Sequence, residues 1–246
     1  MFEFMPNIVR KMSFFYSPNF DLKKRHKKNI KYLIFHYTGM KNDKLSINRL
    51  TNFNLKVSCH YYITKEGKLI QIVPDLYIAW HAGKSYWKKD KLLNKNSLGI
   101  EISNPGHKIG YKNFNDKQIN CLIKISKFLI KKHGIKKENV LGHSDIAPLR
   151  KKDPGEKFPW KLLSRKSIGL WHKINIENCK NLRKKKIDIK KNKYFMKNLR
   201  KFGYNTKYTS LNELKKIIKS FQRRFRPELV DGKLDKECFE IIKSLV

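Results

Sequence analysis

Over roughly the first two thirds of the chain, apolar residues fall in short runs. Towards the C-terminus they return at helical spacing. Ile30–Tyr37 predicts a buried strand that ends in His36-Tyr37. Val57–Thr64 and Lys68–Val73 read as two strands around Lys65-Glu66-Gly67, a hairpin signal in which the glycine supplies a positive φ. Leu98–Ser103 is a further short run, broken by Asn104-Pro105-Gly106, and Val140–Leu141 is a brief strand that delivers His143. Asn115 to His133 is the clearest helix. Ile119, Leu122, Ile123, Ser126, Leu129 and Ile130 lie near one face, Asn115 caps it with Gln118 three residues on, and Gly134 stops it. Ser46 to Leu55 reads as a second helix with Ser46 as N-cap. This order of elements suggests an α/β or α+β sheet covered by helices. The expected class is α/β, a mixed sheet flanked by helices, over residues 30–172.

Residues 1–29 are mostly polar and basic, a lead-in expected to wrap the domain. From 173 to 193 the chain is strongly basic, including Leu182-Arg183-Lys184-Lys185-Lys186, and reads as a linker. Helical spacing follows in Phe195, Leu199 and Phe202, in Leu211, Leu214, Ile217, Ile218 and Phe221, and in Cys238, Phe239, Ile241 and Ile242. Gly203 and Asp231-Gly232 separate these runs, so residues 194–246 are expected to form a small all-α three-helix bundle.

Composition narrows the partners. A net charge of +37 attracts polyanions such as nucleic acid, anionic lipid or an anionic wall polymer, although the preferred explanation is the plainer one, lysine favoured by a biased composition with its charges on solvated faces. No recognised nucleic-acid motif is present, and no stretch has the roughly 18 apolar residues of a membrane span. Four cysteines without a C-x-x-C pair argue against a disulfide framework and a cysteine-rich zinc site. The N-terminus lacks a sustained apolar core of the secretory kind. Cytoplasm is therefore the expected compartment, with periplasm or envelope as the alternative.

The candidate chemistry lies at His36 and between Leu141 and Trp160. His36, His143 and Asp153 make a three-ligand set that leaves a zinc ion one position for water. Glu101 ends the run Leu98-Gly99-Ile100, where an acid can face a cleft and relay a proton. Lys151 offers an ammonium to an oxyanion, and Pro154-Gly155 fixes the turn after Asp153. Taken singly, each residue has a plainer explanation as a hydrogen-bonded histidine, a turn former or an ion-pair partner. The spacing has no local geometry of the H-E-x-x-H kind to confirm it.

Six ordered motifs add to this reading. They are Phe-His-Tyr-Thr-Gly (35–39), Val-Ser-Cys-His-Tyr-Tyr-Ile (57–63), Ala-Trp-His-Ala-Gly (79–83), Asn-Ser-Leu-Gly-Ile-Glu (96–101), Gly-His-Ser-Asp-Ile-Ala-Pro (142–148) and Arg-Lys-Lys-Asp-Pro-Gly (150–155). From about Ser17 to Ile168 the chain resembles the zinc-dependent N-acetylmuramoyl-L-alanine amidases of type 2, which cleave the amide between N-acetylmuramic acid and the L-alanine of the peptide stem. The resemblance implies zinc on His36, His143 and Asp153, with Glu101 as acid/base and Lys151 steadying the tetrahedral intermediate. It also implies a muropeptide or peptidoglycan substrate in cell-wall recycling or turnover. Related recognition proteins carry cysteine where Asp153 stands, so the hydrolase branch is expected. The alternative is a peptidoglycan-recognition protein that binds without cutting. In the resembled family neither His60 nor His81 is a ligand. His60 is expected to orient a neighbour or pack beneath the site, and Trp80 and His81 to form a substrate wall. The tail from about Tyr194 resembles the small helical peptidoglycan-binding domain through Leu199–Tyr204, Phe221-Gln222 and Val230-Asp231-Gly232, with Cys238 in place of a usual threonine. A monomer is expected.

Overall fold

The chain was analysed as a computed structural model that describes residues 10–246. The first nine residues of the lead-in, which carry most of the N-terminal signal reading, lie outside the described residues.

The described strands are β1 (Ser13–Phe14), β2 (Phe20–Asp21), β3 (Tyr32–Tyr37), β4 (Tyr61–Ile63) and β5 (Leu69–Gln71). They continue with β6 (Ile78–Ala79), β7 (Tyr86–Trp87), β8 (Asp90–Lys91), β9 (Ser97–Ile102) and β10 (Val140–Gly142). The helices are α1 (Asp43–Thr51), α2 (Gly106–Ile109), α3 (Asp116–His133), α4 (His143–Ile146) and α5 (Trp160–Arg165). They are followed by α6 (Ile176–Arg183), α7 (Ile189–Phe202), α8 (Leu211–Phe225) and α9 (Lys236–Leu245).

Tyr32 to His36 are all buried, because β3 sits inside a sheet covered on both faces. The sheet order is β1-β5-β4-β9-β3-β10. β3 runs parallel to β9 and β10, and β4 is parallel to β9 but antiparallel to β5. Register decides the site: His36 stands opposite Glu101, and Phe35 opposite Gly142, so His143 begins beside His36. Three parallel strands therefore deliver their chemistry at one edge, the carboxyl-end position where open α/β sheets bind ligands.

On one face, Leu122, Ile125 and Leu129 of α3 pack with Leu33, Phe35, Ile63 and Ile100. The reciprocal Asn115–Gln118 capping box starts α3, and Gly134 (φ 64°) ends it. On the other face, Tyr32, Ile34 and Leu141 share a core with Phe195, Leu199, Phe202, Phe221 and Phe225 from α7 and α8. The C-terminal helices are thus packed directly onto the sheet.

Two expectations need correction. α1 starts at Asp43 and not at Ser46, because the Asn42 side chain accepts the Leu45 N–H; Ser46 is buried and its hydroxyl donates to the Asn42 carbonyl. The stretch 173–193, expected as a basic linker without elements of its own, holds α6 and the first residues of α7. Arg183 on α6 donates two hydrogen bonds, of 2.6 and 2.8 Å, to the buried Glu237 of α9. A polar, basic sequence hid a helix that an ion pair ties to α9 beside the buried Cys179. Among the described residues all four cysteines are free and buried, and no helix is long and apolar enough to cross a membrane.

Asn115→Ala removes the cap from the helix that covers one sheet face. It is expected to cost about 1 kcal/mol, read from the urea midpoint, and an unchanged midpoint would exclude that role for Asn115.

Candidate active site and metal centre

His36 ends the buried part of β3, His143 opens α4, and Asp153 lies in the following loop. All three are buried. Their facing atoms crowd together: His36 Nδ1 lies 2.8 Å from His143 Nδ1 and 3.2 Å from Asp153 Oδ2, and His143 Nδ1 lies 2.9 Å from Asp153 Oδ2. The outer nitrogens assign the tautomers. His143 Nε2 donates to the Ala82 carbonyl at 3.2 Å. His36 Nε2 donates to His81 Nδ1 at 3.0 Å, His81 Nε2 to Ser97 Oγ at 3.1 Å, and the Ser97 hydroxyl to the Leu93 carbonyl at 2.5 Å. Burial keeps both imidazoles neutral, pushing His36 down to about 4 with help from His143, and lowering His143 as well.

With their protons turned outward, the three inner atoms are all acceptors. Such a cluster repels itself unless a cation sits among them. Ligands of a tetrahedral zinc with bonds of about 2.0–2.1 Å stand roughly 3.3 Å apart, close to the spacing found here. The residues therefore fit a divalent metal, and the outward hydrogen bonds are the supports that metal-binding histidines ordinarily have.

The cluster lies in a cleft of about 430 Å³, which Glu101 and Lys151 also line. Glu101 Oε2 is shielded from solvent and has no hydrogen-bond partner. Burial, reinforced by the Asp153 charge, raises its carboxyl to about 8 against the opposing pull of Lys151 and Arg49. An acid so tuned sits in the range where proton transfer works in both directions near neutrality. Arg49, Lys108, Arg150, Lys151 and Lys152 make the wall cationic.

His36, His143, Asp153, Glu101 and Lys151 are thus brought together. His81 also lines the cleft, but its ring is buried behind His36 as a hydrogen-bonding support. Trp80 is not brought there: its indole N–H donates to Asp21 Oδ1 at 2.7 Å, and it is not among the residues lining the cleft. His60 packs edge-on against His81, and its Nδ1 accepts the Gly99 N–H at 3.0 Å. Sequence reasoning missed Gly99, Asn94, Ser97 and Arg150. Gly99 makes room for His81, whose ring atoms would lie 2.5 Å from a Cβ there, and Asn94 Oδ1 accepts the His81 and Ala82 N–H groups. Arg150 donates to the carbonyls of Ala82 and Lys84. A glycine inside an otherwise bulky strand was the one local signal for this packing.

Gly99→Ala is expected to displace His81 and weaken metal affinity about 10–100-fold, measured by chelator competition; wild-type affinity would remove His81 from the support of His36. Glu101 generates a pH dependence in the metal-free protein. Its folded carboxyl, raised from 4.5 to about 8, keeps a proton that the unfolded chain has lost, so this group's stabilisation falls as pH rises between those values. Glu101→Gln removes the dependence and should gain in Tm on the wild type between those pH limits, whereas a constant difference would contradict the raised value.

Residues 26–156 match the family described as N-acetylmuramoyl-L-alanine amidase, Amidase_2. The chain is 34% identical over 233 residues to N-acetylmuramoyl-L-alanine amidase AmiD of Escherichia coli K12, covering 88% of this chain and 82% of that protein. The solved complex of E. coli AmiD with the substrate anhydro-N-acetylmuramic acid-L-Ala-D-gamma-Glu-L-Lys superposes with a TM-score of 0.80 at 34% identity, covering 88% of each chain. AmpDh3 of Pseudomonas aeruginosa in complex with anhydromuramic pentapeptide gives a TM-score of 0.79 at 28% identity, covering 93% of this chain and 95% of that one. The matched segment runs through the whole cluster from His36 to Asp153, and the chain belongs to the N-acetylmuramoyl-L-alanine amidase family.

Proposed function

We propose that this protein is a zinc-dependent amidase that hydrolyses the bond between N-acetylmuramic acid and L-alanine in muropeptides or peptidoglycan, as part of cell-wall recycling or turnover. The observation that carries the reading is the buried trio of acceptor atoms 2.8–3.2 Å apart, beside the carboxyl of Glu101, whose shielded Oε2 has no hydrogen-bond partner. His36 Nδ1, His143 Nδ1 and Asp153 Oδ2 would hold the zinc. When bound, the ion supplies Lewis acidity that polarises a carbonyl and acidifies water. Glu101 takes the proton of the attacking water and passes it to the departing L-alanine nitrogen, leaving a lactyl carboxylate and a free stem peptide. The Lys151 ammonium steadies the negative charge that develops on the scissile carbonyl oxygen.

The cationic wall suits a peptide stem that carries free carboxylates. The E. coli AmiD and P. aeruginosa AmpDh3 complexes, both with anhydromuramic peptides, support the same ligand class. We read the C-terminal helices as a three-helix bundle of the peptidoglycan-binding kind, and take the cytoplasm as the compartment. Cell fractionation tests the second point.

The direct test is incubation with an N-acetylmuramoyl peptide and mass spectrometry of the products. Free L-alanyl peptide is expected with zinc, none after chelation, and recovery on adding zinc back; no release from any muropeptide by zinc-loaded protein would sink the proposal. Glu101→Ala should keep its zinc and lose about 10²–10⁴-fold in turnover, while Asp153→Ala should lose metal on dialysis, as elemental analysis would show.

A further inference from the structure

The turn that carries His143 is held from beneath by the C-terminal helices. Asp145, two residues on, is 1% exposed, and its Oδ2 accepts the Gly142 N–H at 2.8 Å, which ties the start of α4. Its remaining partners come from far along the chain. The Tyr204 hydroxyl donates to Asp145 Oδ1 at 2.5 Å, and the Arg224 guanidinium pairs with Oδ2. Arg224 also donates to the Val140 carbonyl of β10 at 2.9 Å, and its guanidinium lies 4.2 Å from the Trp160 ring centroid. Beside it, the Ser220 hydroxyl donates to the Ser144 carbonyl at 2.7 Å, while the Ser144 N–H donates to the Asp153 carbonyl at 2.8 Å. Residues on both sides of His143 are thus gripped by α8 and by Tyr204, and one of them ties directly to a second member of the trio.

We propose that Tyr204, Ser220 and Arg224 are positioning residues of the metal centre: the C-terminal helices set His143 against His36 and Asp153, whatever else they bind. The proposal rests on the amidase reading for its metal but not for its readout. Removing Arg224 leaves a buried carboxylate without its countercharge, and that carboxylate sits on the α4 turn two residues from His143. An imidazole displaced by a fraction of an ångström weakens the metal and slows the reaction, and leaves the substrate wall as it was.

The test uses the full chain as Tyr204→Phe, Arg224→Met and Arg224→Lys, with Lys215→Ala on the exposed side of α8 as control. Three properties are measured on folded protein at 25 °C: zinc affinity by chelator competition, the visible spectrum of the cobalt-substituted protein, and kcat and KM on a soluble anhydromuropeptide. Arg224→Met should lose about tenfold or more in zinc affinity, shift the cobalt bands, and lower kcat with KM within about twofold. Arg224→Lys should recover part of each, and Lys215→Ala should match the wild type. Tyr204→Phe loses only a hydroxyl and decides the matter if Arg224→Met does not fold. Folded variants with lower Tm but wild-type zinc affinity and cobalt spectrum would overturn the proposal. Shifted cobalt bands in a protein that cleaves no muropeptide would sink the amidase reading and leave this one standing.

Discussion

Three buried lone-pair-bearing atoms confined within about 3 Å of one another are the constraint on which this structure turns. Without a cation, two imidazole nitrogens and a carboxylate oxygen at that spacing repel. The fold holds them there because the opposite side of each ring is engaged: His143 with the Ala82 carbonyl, His36 with a chain through His81 and Ser97 that ends on the Leu93 carbonyl. The site is thus arranged for a metal by hydrogen bonds that hold each ring by its outer nitrogen.

That geometry depends in turn on the sheet. Parallel pairing of β3 with β9 and β10 sets His36 opposite Glu101 and brings His143 to the same edge. Because β3 packs Leu33 and Phe35 into one core and Tyr32 and Ile34 into another, a slip of register would exchange the two sets between cores built for different side chains, so the alignment of the site is guarded by packing. Gly99 belongs to the same logic, as the missing side chain through which the His81 ring reaches His36.

The second layer comes from the far end of the chain. Phe195, Leu199, Phe221 and Phe225 bury the sheet face that carries Tyr32, Ile34 and Leu141. Polar contacts from α8 and from Tyr204, in the loop before it, end on β10 and on the turn around His143. Amidase sheet and C-terminal helices share one core, which couples the tail's packing to the site's precision.

Sequence alone determined the local pieces: the buried run ending in His36, the capping box on α3, the strand that delivers His143, and two histidines and an aspartate able to hold a metal. Those features are written in neighbouring residues and in ordered motifs. Tertiary structure decided the rest: His81 behind His36, Trp80 away from the cleft, α6 where a linker was expected, and Asp145 gripped by Tyr204 and Arg224. Apart from Gly99 beside the His81 ring, these have no local signature, because each depends on a partner that only folding brings near, across 45 residues for His36 and His81 and 79 for Asp145 and Arg224.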